Sequence, residues 1–295
     1  MRLSGFFVLC ALVGSAPAVL QAQAPQQSWA AVDQALGRPG ATQPDGVRRY
    51  GFPRSDLNVQ LDGVAIKPAL ALGSWLAFEP LGGSATVMGD LVLTPDEVNP
   101  VMSGLLQGGI EVTAIHNHLL RSLPQTVYMH VHGHGDPAKL AAALHAALAL
   151  SHTPLQPPAI AAPAAIELDT TAIDRIIGKQ GKATGGVYQF TVPRREKIID
   201  DGMDVPATMG TGISINFQPA SGGKAAVTGD FVLVASEVAP VMRILRSNGV
   251  EVTALHSHMI GEEPKLYFMH FWGVADASRL ARAMRSALDL TNVQR

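Results

Sequence analysis

The chain has 295 residues, 47% of them hydrophobic and 16% charged, with a formal net charge of −2. It has no run of Lys or Arg, which excludes sequence-independent nucleic-acid binding, since neutralising phosphates needs a basic stripe. Its one cysteine, Cys10, lies in an N-terminal apolar run. If that run is removed, no disulfide or thiolate remains, and metal ligands must come from His, Asp, Glu or Met.

Arg2 followed by the apolar, small-residue stretch 5–20 and then Ala22-Gln23-Ala24 predicts a signal peptide over residues 1–24. The protein is therefore expected in the periplasm or outside the cell. The apolar run is too short for a permanent membrane helix. Val8-Leu9-Cys10-Ala11 lacks the small residue that a lipoprotein cleavage box needs before cysteine. No later stretch reaches spanning length, so no integral membrane segment is expected after cleavage.

Residues 89–149 recur at 229–289 without a gap, and 27 of the 61 paired positions are identical. Upstream, residues 32–38 resemble 173–179 and residues 50–54 resemble 190–194, with Pro53/Pro193 and Arg54/Arg194 in common. Phe78-Glu79-Pro80 likewise resembles Phe217-Gln218-Pro219. The expected organisation is a first unit over 25–150, a Pro/Ala-rich linker over 151–165 and a second unit over 166–295.

Within the unit, residues 89–93 read as a short strand. Thr94, Pro95 and Glu97 then fit a helix start with a capping box, and Gly108-Gly109 a stop. Residues 111–118 alternate and are rich in branched side chains, predicting a strand. A loop around Pro124 precedes a strand over 126–132. Asp136 caps a final helix carrying Leu140, Leu144 and Leu148 at helical spacing. This βαββα order predicts an α+β fold: a tandem duplication of a ferredoxin-like, split βαβ unit, with helices on one face of antiparallel strands. Residues 50–78 and 190–217 add N-terminal strands to each half.

The repeat preserves three histidines. Ala114-Ile115-His116-Asn117-His118 matches Ala254-Leu255-His256-Ser257-His258, and Met129-His130 matches Met269-His270. Residues i and i+2 of a strand share a face, so His116 projects with His118, and His256 with His258. The returning strand brings His130 or His270 opposite or diagonal to them. Three clustered imidazoles match a three-histidine zinc site with an open fourth position. His116, His118, His130, His256, His258 and His270 are thus the candidate metal ligands, with zinc the first expected ion and copper the second. One composite site, or one site per half, both fit the pattern. Strand-end histidines that only hydrogen-bond to loops are the competing reading.

Other residues carry less. His132 and His134 are replaced by Trp272 and Val274 in the second copy, while His145 and His152 have no counterparts and read as surface residues. Asp90/Asp230 fit a strand-start turn as well as catalysis. Simple alternation turns Glu111 away from His116. Capping accounts for Glu97/Glu237 and Asp136/Asp276, and no convincing carboxylate pair emerges. Met129/Met269 read as core. No nucleophile elbow or phosphate loop is present.

The signal, the tandem repeat, the Gly-Asp-[Leu/Phe]-Val-Leu strand, Glu-Val-Thr-Ala-[Ile/Leu]-His-x-His and Met269-His270-Phe271-Trp272-Gly273 together resemble the exported bacterial LppY/LpqO-like family. The resemblance implies export and duplication, and no assigned reaction. The expected function is an exported protein binding a divalent transition metal through strand-borne histidines, with water activation for hydrolysis as its extension. The partner would be a small-molecule or envelope ligand. The alternative is a non-enzymatic envelope or ligand-binding protein whose histidines are structural or line a cleft. A third reading is metal-free acid–base catalysis by His116 or His256.

Overall fold

The computed structural model describes Met1, residues 29–157 and residues 165–294. The expected signal peptide, apart from Met1, and the centre of the expected linker lie outside the described residues. The fold is mixed α/β with two similar halves, each built on a six-stranded antiparallel sheet. In the first half the spatial order is Ala41–Thr42, Arg48–Pro53, Gly73–Leu81, Ser84–Leu93, Val127–Gly135 and Glu111–His116. The second repeats it with Lys182–Thr184, Val187–Val192, Ile213–Ala220, Lys224–Leu233, Tyr267–Ala275 and Glu251–His256. The strand bearing His130 therefore lies between Ser84–Leu93 and Glu111–His116, antiparallel to both. A small hairpin accompanies each sheet, Gln60–Leu61 with Val64–Ala65 and Ile199–Asp200 with Met203–Asp204.

Helices Pro95–Gln107 and Pro137–Leu148 cover one face of the first sheet. Val101, Leu105, Leu140 and Leu144 pack there against Val87, Leu91, Met129 and Val131. The helix starts follow from local chemistry. Glu97 accepts the Thr94 N–H at 2.8 Å, and Asp136 accepts the Lys139 N–H at 2.9 Å, satisfying donors that a helix start leaves free. Glu97 also does more than cap. It is buried and takes Arg54 Nη1 at 2.7 Å, and Arg194 with Glu237 repeats the pair at 2.7 Å.

Alternation sends the histidines of Val127–Gly135 to the opposite face. A sheet covered on one side would expose that face, yet Ser84–Leu93 is buried along almost its whole length. The helix-free faces of the two halves meet. Ala77 and Met88 join the second half's core, while Ala226 and Trp272 join a cluster with Leu61, Val92 and Tyr128. The outcome is a helix–sheet–sheet–helix stack with the histidines in its middle.

Two local expectations change, and the described start of the linker adds contacts of its own. The strand expected at 89–93 begins at Ser84, because the Gly82-Gly83 turn, at φ 52° and 107°, closes a hairpin with Gly73–Leu81. A β-bulge shifts the register between Val112 and Ala114, pairing Glu111 with His132 and Ala114 with His130. The extra residue reverses the expected parity, so Glu111 shares the histidine face. Finally, Arg38 Nη2 donates to the carbonyls of Pro154, Leu155 and Gln156 at 3.1, 2.6 and 2.9 Å, which ties the start of the linker to the first half. Among the described residues no helix is long and apolar enough to cross a membrane.

Candidate metal centre

His116, His118, His130, His256, His258 and His270 come together in one composite cluster where the halves meet. Ring centroids lie 3.7 Å apart for His116 and His256, 3.7 Å for His118 and His270, and 3.6 Å for His130 and His258. An approximate two-fold relates them: the His116–His256 pair maps onto itself and the other two exchange. Tyr128 and Phe268 close the ends, stacking on His118 and His258 at 3.5 and 3.4 Å.

The bulge that misled the alternation argument positions the cluster. Its extra residue is a threonine in both halves, and each reaches across the junction. Thr113 Oγ1 donates to the His258 carbonyl at 2.6 Å, and Thr253 Oγ1 to the His118 carbonyl at 2.7 Å. The segments carrying His118 and His258, just beyond their strand ends, are thereby held by the opposite half.

Asp90 and Asp230 are also seated in the cluster, where sequence reasoning found no carboxylate pair. They oppose His130 and His270 in register. Asp90 Oδ2 lies 3.6 Å from His118 Nε2, and Asp230 Oδ2 lies 3.5 Å from His258 Nε2. The preceding glycines explain the close approach of the neighbouring strand. A Cβ on Gly229 would lie 2.0 Å from the Ser214 carbonyl oxygen, and one on Gly89 would lie 2.7 Å from that of Trp75. The recurring Gly-Asp dipeptide was the available signal. His270 Nδ1 donates to the Gly229 carbonyl at 2.9 Å. That contact fixes the tautomer and leaves Nε2 with its lone pair.

Burial sets the charge states. It pushes the His270 imidazole down to about 3, assisted by His256, and that of His256 down to about 4. His116, His118, His130 and His258 are also held well below the ordinary histidine value by burial and by neighbouring imidazoles. Burial lifts the Asp90 carboxyl to about 8 against the opposing pull of Arg49, and raises Asp230 strongly, with Asp90 adding to it. Neutral imidazoles are the form in which histidine binds a metal.

Many polar atoms here are buried without a partner: Nε2 of His130, His256, His258 and His270, Nδ1 of His116 and His256, and Oδ1 of both aspartates. Such atoms each cost about 1–3 kcal/mol when left unpaired, and one spot seldom holds so many. One nitrogen each from His116, His256, His258 and His270 lies within 4.8 Å of the others. His116 Nε2 and His118 Nε2 stand 2.9 Å apart. Two nitrogens bound to one tetrahedral zinc would stand about 3.3 Å apart, so the four nitrogens, within 4.8 Å of one another, would close on a transition ion by side-chain adjustment. A crevice of about 10 Å³, lined by Trp75, Thr113, His130, His132 and His258, reaches the cluster. It has room for roughly one water molecule.

The remaining histidines stand apart from this set. His134 Nδ1 is 3.3 Å from Thr86 Oγ1. The His152 side chain is 88% exposed, although its ring lies 3.0 Å from Glu97 Oε1. His132 is buried and lies 3.6 Å from Glu111.

This is a duplicated α/β chain with a histidine-rich junction between its halves. The family model described as Domain of Unknown Function (DUF1259) matches residues 30–150 and again residues 171–290. The chain belongs to that family and carries its domain in tandem. No curated protein matches it. Among solved structures it is similar to the trimeric bacterial microcompartment shell protein PduB, at 14% identity over 85% of this chain and 89% of that one, with a TM-score of 0.24. It is also similar to EtuB from Clostridium kluyveri, at 10% identity over 85% and 90%, with a TM-score of 0.19. Likenesses this loose carry neither fold nor role across to this chain.

Proposed function

We propose that the chain is an exported protein that binds a divalent transition metal at the junction of its halves. His116, His256, His258 and His270 would hold the ion, zinc first and copper second, with His118, His130, Asp90 and Asp230 packed around it. The observation that carries this reading is the convergence of buried, unpartnered imidazole nitrogens in a thiolate-free site. Imidazole donors suit zinc, copper, iron and nickel. A bound dication would also reverse the local charge logic, favouring ionised carboxylates where burial alone favours protonated ones.

Metal-activated hydrolysis is a narrower proposal, supported by a crevice with room for one water and confined by it to small reactants. We further propose that each half is a variant of the split βαβ unit, with the preceding hairpin strand at the sheet position beside the first core strand. Kinship with the LppY/LpqO-like exported proteins is proposed on the shared Gly-Asp and His-x-His segments.

The test is elemental analysis of the untagged, exported protein beside a His116→Ala/His256→Ala variant. Near-stoichiometric zinc or copper, lost in a variant that remains folded, is the expected result. No metal in the parent, even after reconstitution, would overturn the proposal. It would leave the second reading, favoured by ring pairs packed at 3.6–3.7 Å: an aromatic core of neutral histidines joining two halves.

A further inference from the structure

The two-fold relation makes each half a control for the other, and one place fails to match. In each half a hairpin turn, Asp62-Gly63 or Asp201-Gly202, lies against the opposite half's strand that carries His270 or His130. The backbones agree, with φ 49° at both aspartates and 77° at both glycines. The side chains around them differ.

At the first turn the place is closed. Trp272 Nε1 donates to Asp62 Oδ2 at 2.9 Å. Leu61 is buried in the same apolar cluster as Trp272. Arg121 pairs with Asp62 at 2.9 Å and with Glu251 at 3.0 Å. Every polar group there has a counterpart.

At the second turn the equivalents of Leu61, Trp272 and Arg121 are Asp200, His132 and Gly261. An apolar side chain has become a carboxylate, an indole has become an imidazole, and the arginine is gone. Asp200 and His132 are 6% and 8% exposed. The His132 Nε2 is buried without a hydrogen-bond partner. Glu111, the equivalent of Glu251, lies 3.6 Å from His132 Nδ1. The nearby cation Lys265 is engaged by Glu262 at 3.1 Å. A ring nitrogen of His132 and one carboxylate oxygen each from Asp200 and Asp201 lie within 4.8 Å of one another. A buried carboxylate on Asp200, an exposed one beside it on Asp201 and an unpaired buried imidazole nitrogen in one place suit a cation.

We propose that His132 of the first half and Asp200 and Asp201 of the second bind a divalent first-row cation, with water completing its coordination. One imidazole and two carboxylates form a harder donor set than the all-imidazole centre, which favours ions such as Mn²⁺. Because its ligands come from both halves, the ion clips the hairpin Ile199–Asp204 onto the strand Val127–Gly135. This site does not depend on metal binding at the histidine cluster.

The experiment is titration of the chelator-stripped full chain with Mn²⁺, reading free ion by electron paramagnetic resonance and following the unfolding temperature. The parent takes up one Mn²⁺ saturably, and its unfolding temperature rises with Mn²⁺. His132→Trp with Asp200→Leu, which copies the residues of the closed place, abolishes both effects. Asp201→Asn, at an exposed position, weakens uptake at least about tenfold. The His116→Ala/His256→Ala variant keeps Mn²⁺ uptake. Absence of saturable uptake by the parent, or unchanged uptake in both ligand variants, would overturn the proposal. So would uptake lost in the His116→Ala/His256→Ala variant alone, which would assign the ion to the other cluster.

Discussion

The strands Val127–Gly135 and Tyr267–Ala275 occupy equivalent places and share Met129/Met269, His130/His270 and Gly133/Gly273, yet part company at His132 and Trp272. Up to that residue the two strands build the same thing: an inward methionine in the core and an inward histidine in the shared cluster. Beyond it one strand fills space and the other presents a lone pair. The difference teaches that the core positions and the junction cluster answer to the two-fold, while the rim does not.

The largest test of this contrast is truncation at the divergent pair. Trp272 is 2% exposed, and Trp272→Ala is expected to cost about 3–5 kcal/mol in chemical denaturation. In metal-free protein His132→Ala removes an unpaired buried nitrogen and is expected to cost under about 1 kcal/mol. Equal losses would break the comparison. Where the halves agree, so should their variants. Arg54→Met and Arg194→Met each strand a buried glutamate, and both should lose about 3–5 kcal/mol; a large disparity in unfolding free energy would show that the halves are not energetically equivalent.

A pH scan sharpens the same point. Burial would raise the Glu97 carboxyl, but Arg54 and the N–H groups of His152 and Thr94 hold it down, to about 2. Its folded value lies below the unfolded value of 4.5, so its stabilisation is present above that value. It is lost as pH falls from there towards 2. Calorimetry should show Glu97→Gln with a shallower loss of stability across this window; an unchanged slope would mean Glu97 titrates normally. A small effect of like size in both halves is expected at the crossing threonines. Thr113→Val and Thr253→Val should each cost about 1 kcal/mol and be nearly equal.

Much of this was readable from the sequence, for identifiable reasons. Repetition exposed the six histidines, and the caps at Thr94 and Asp136 marked the helix starts. The union of the two histidine sets was not readable, because it depends on two sheets burying their helix-free faces, a tertiary event without local pattern. Asp90 was obscured because Ala85 to Met88 lie in a strand buried on both faces, where alternation vanishes. Glu111 was turned the wrong way because one bulged residue reverses every parity argument beyond it. Arg54 and Glu97 both recur in the second copy, but 43 residues separate them, and only the fold makes them a pair.

The continuous chain has a consequence of its own. Two identical repeat units assembled around a true two-fold would carry each side chain at both equivalent places, so a histidine opposite one turn would stand opposite the other as well. Joined in a single polypeptide, the copies are free of that obligation. One rim can be sealed by Trp272 while the other keeps His132, and the shared centre between them stays nearly symmetric.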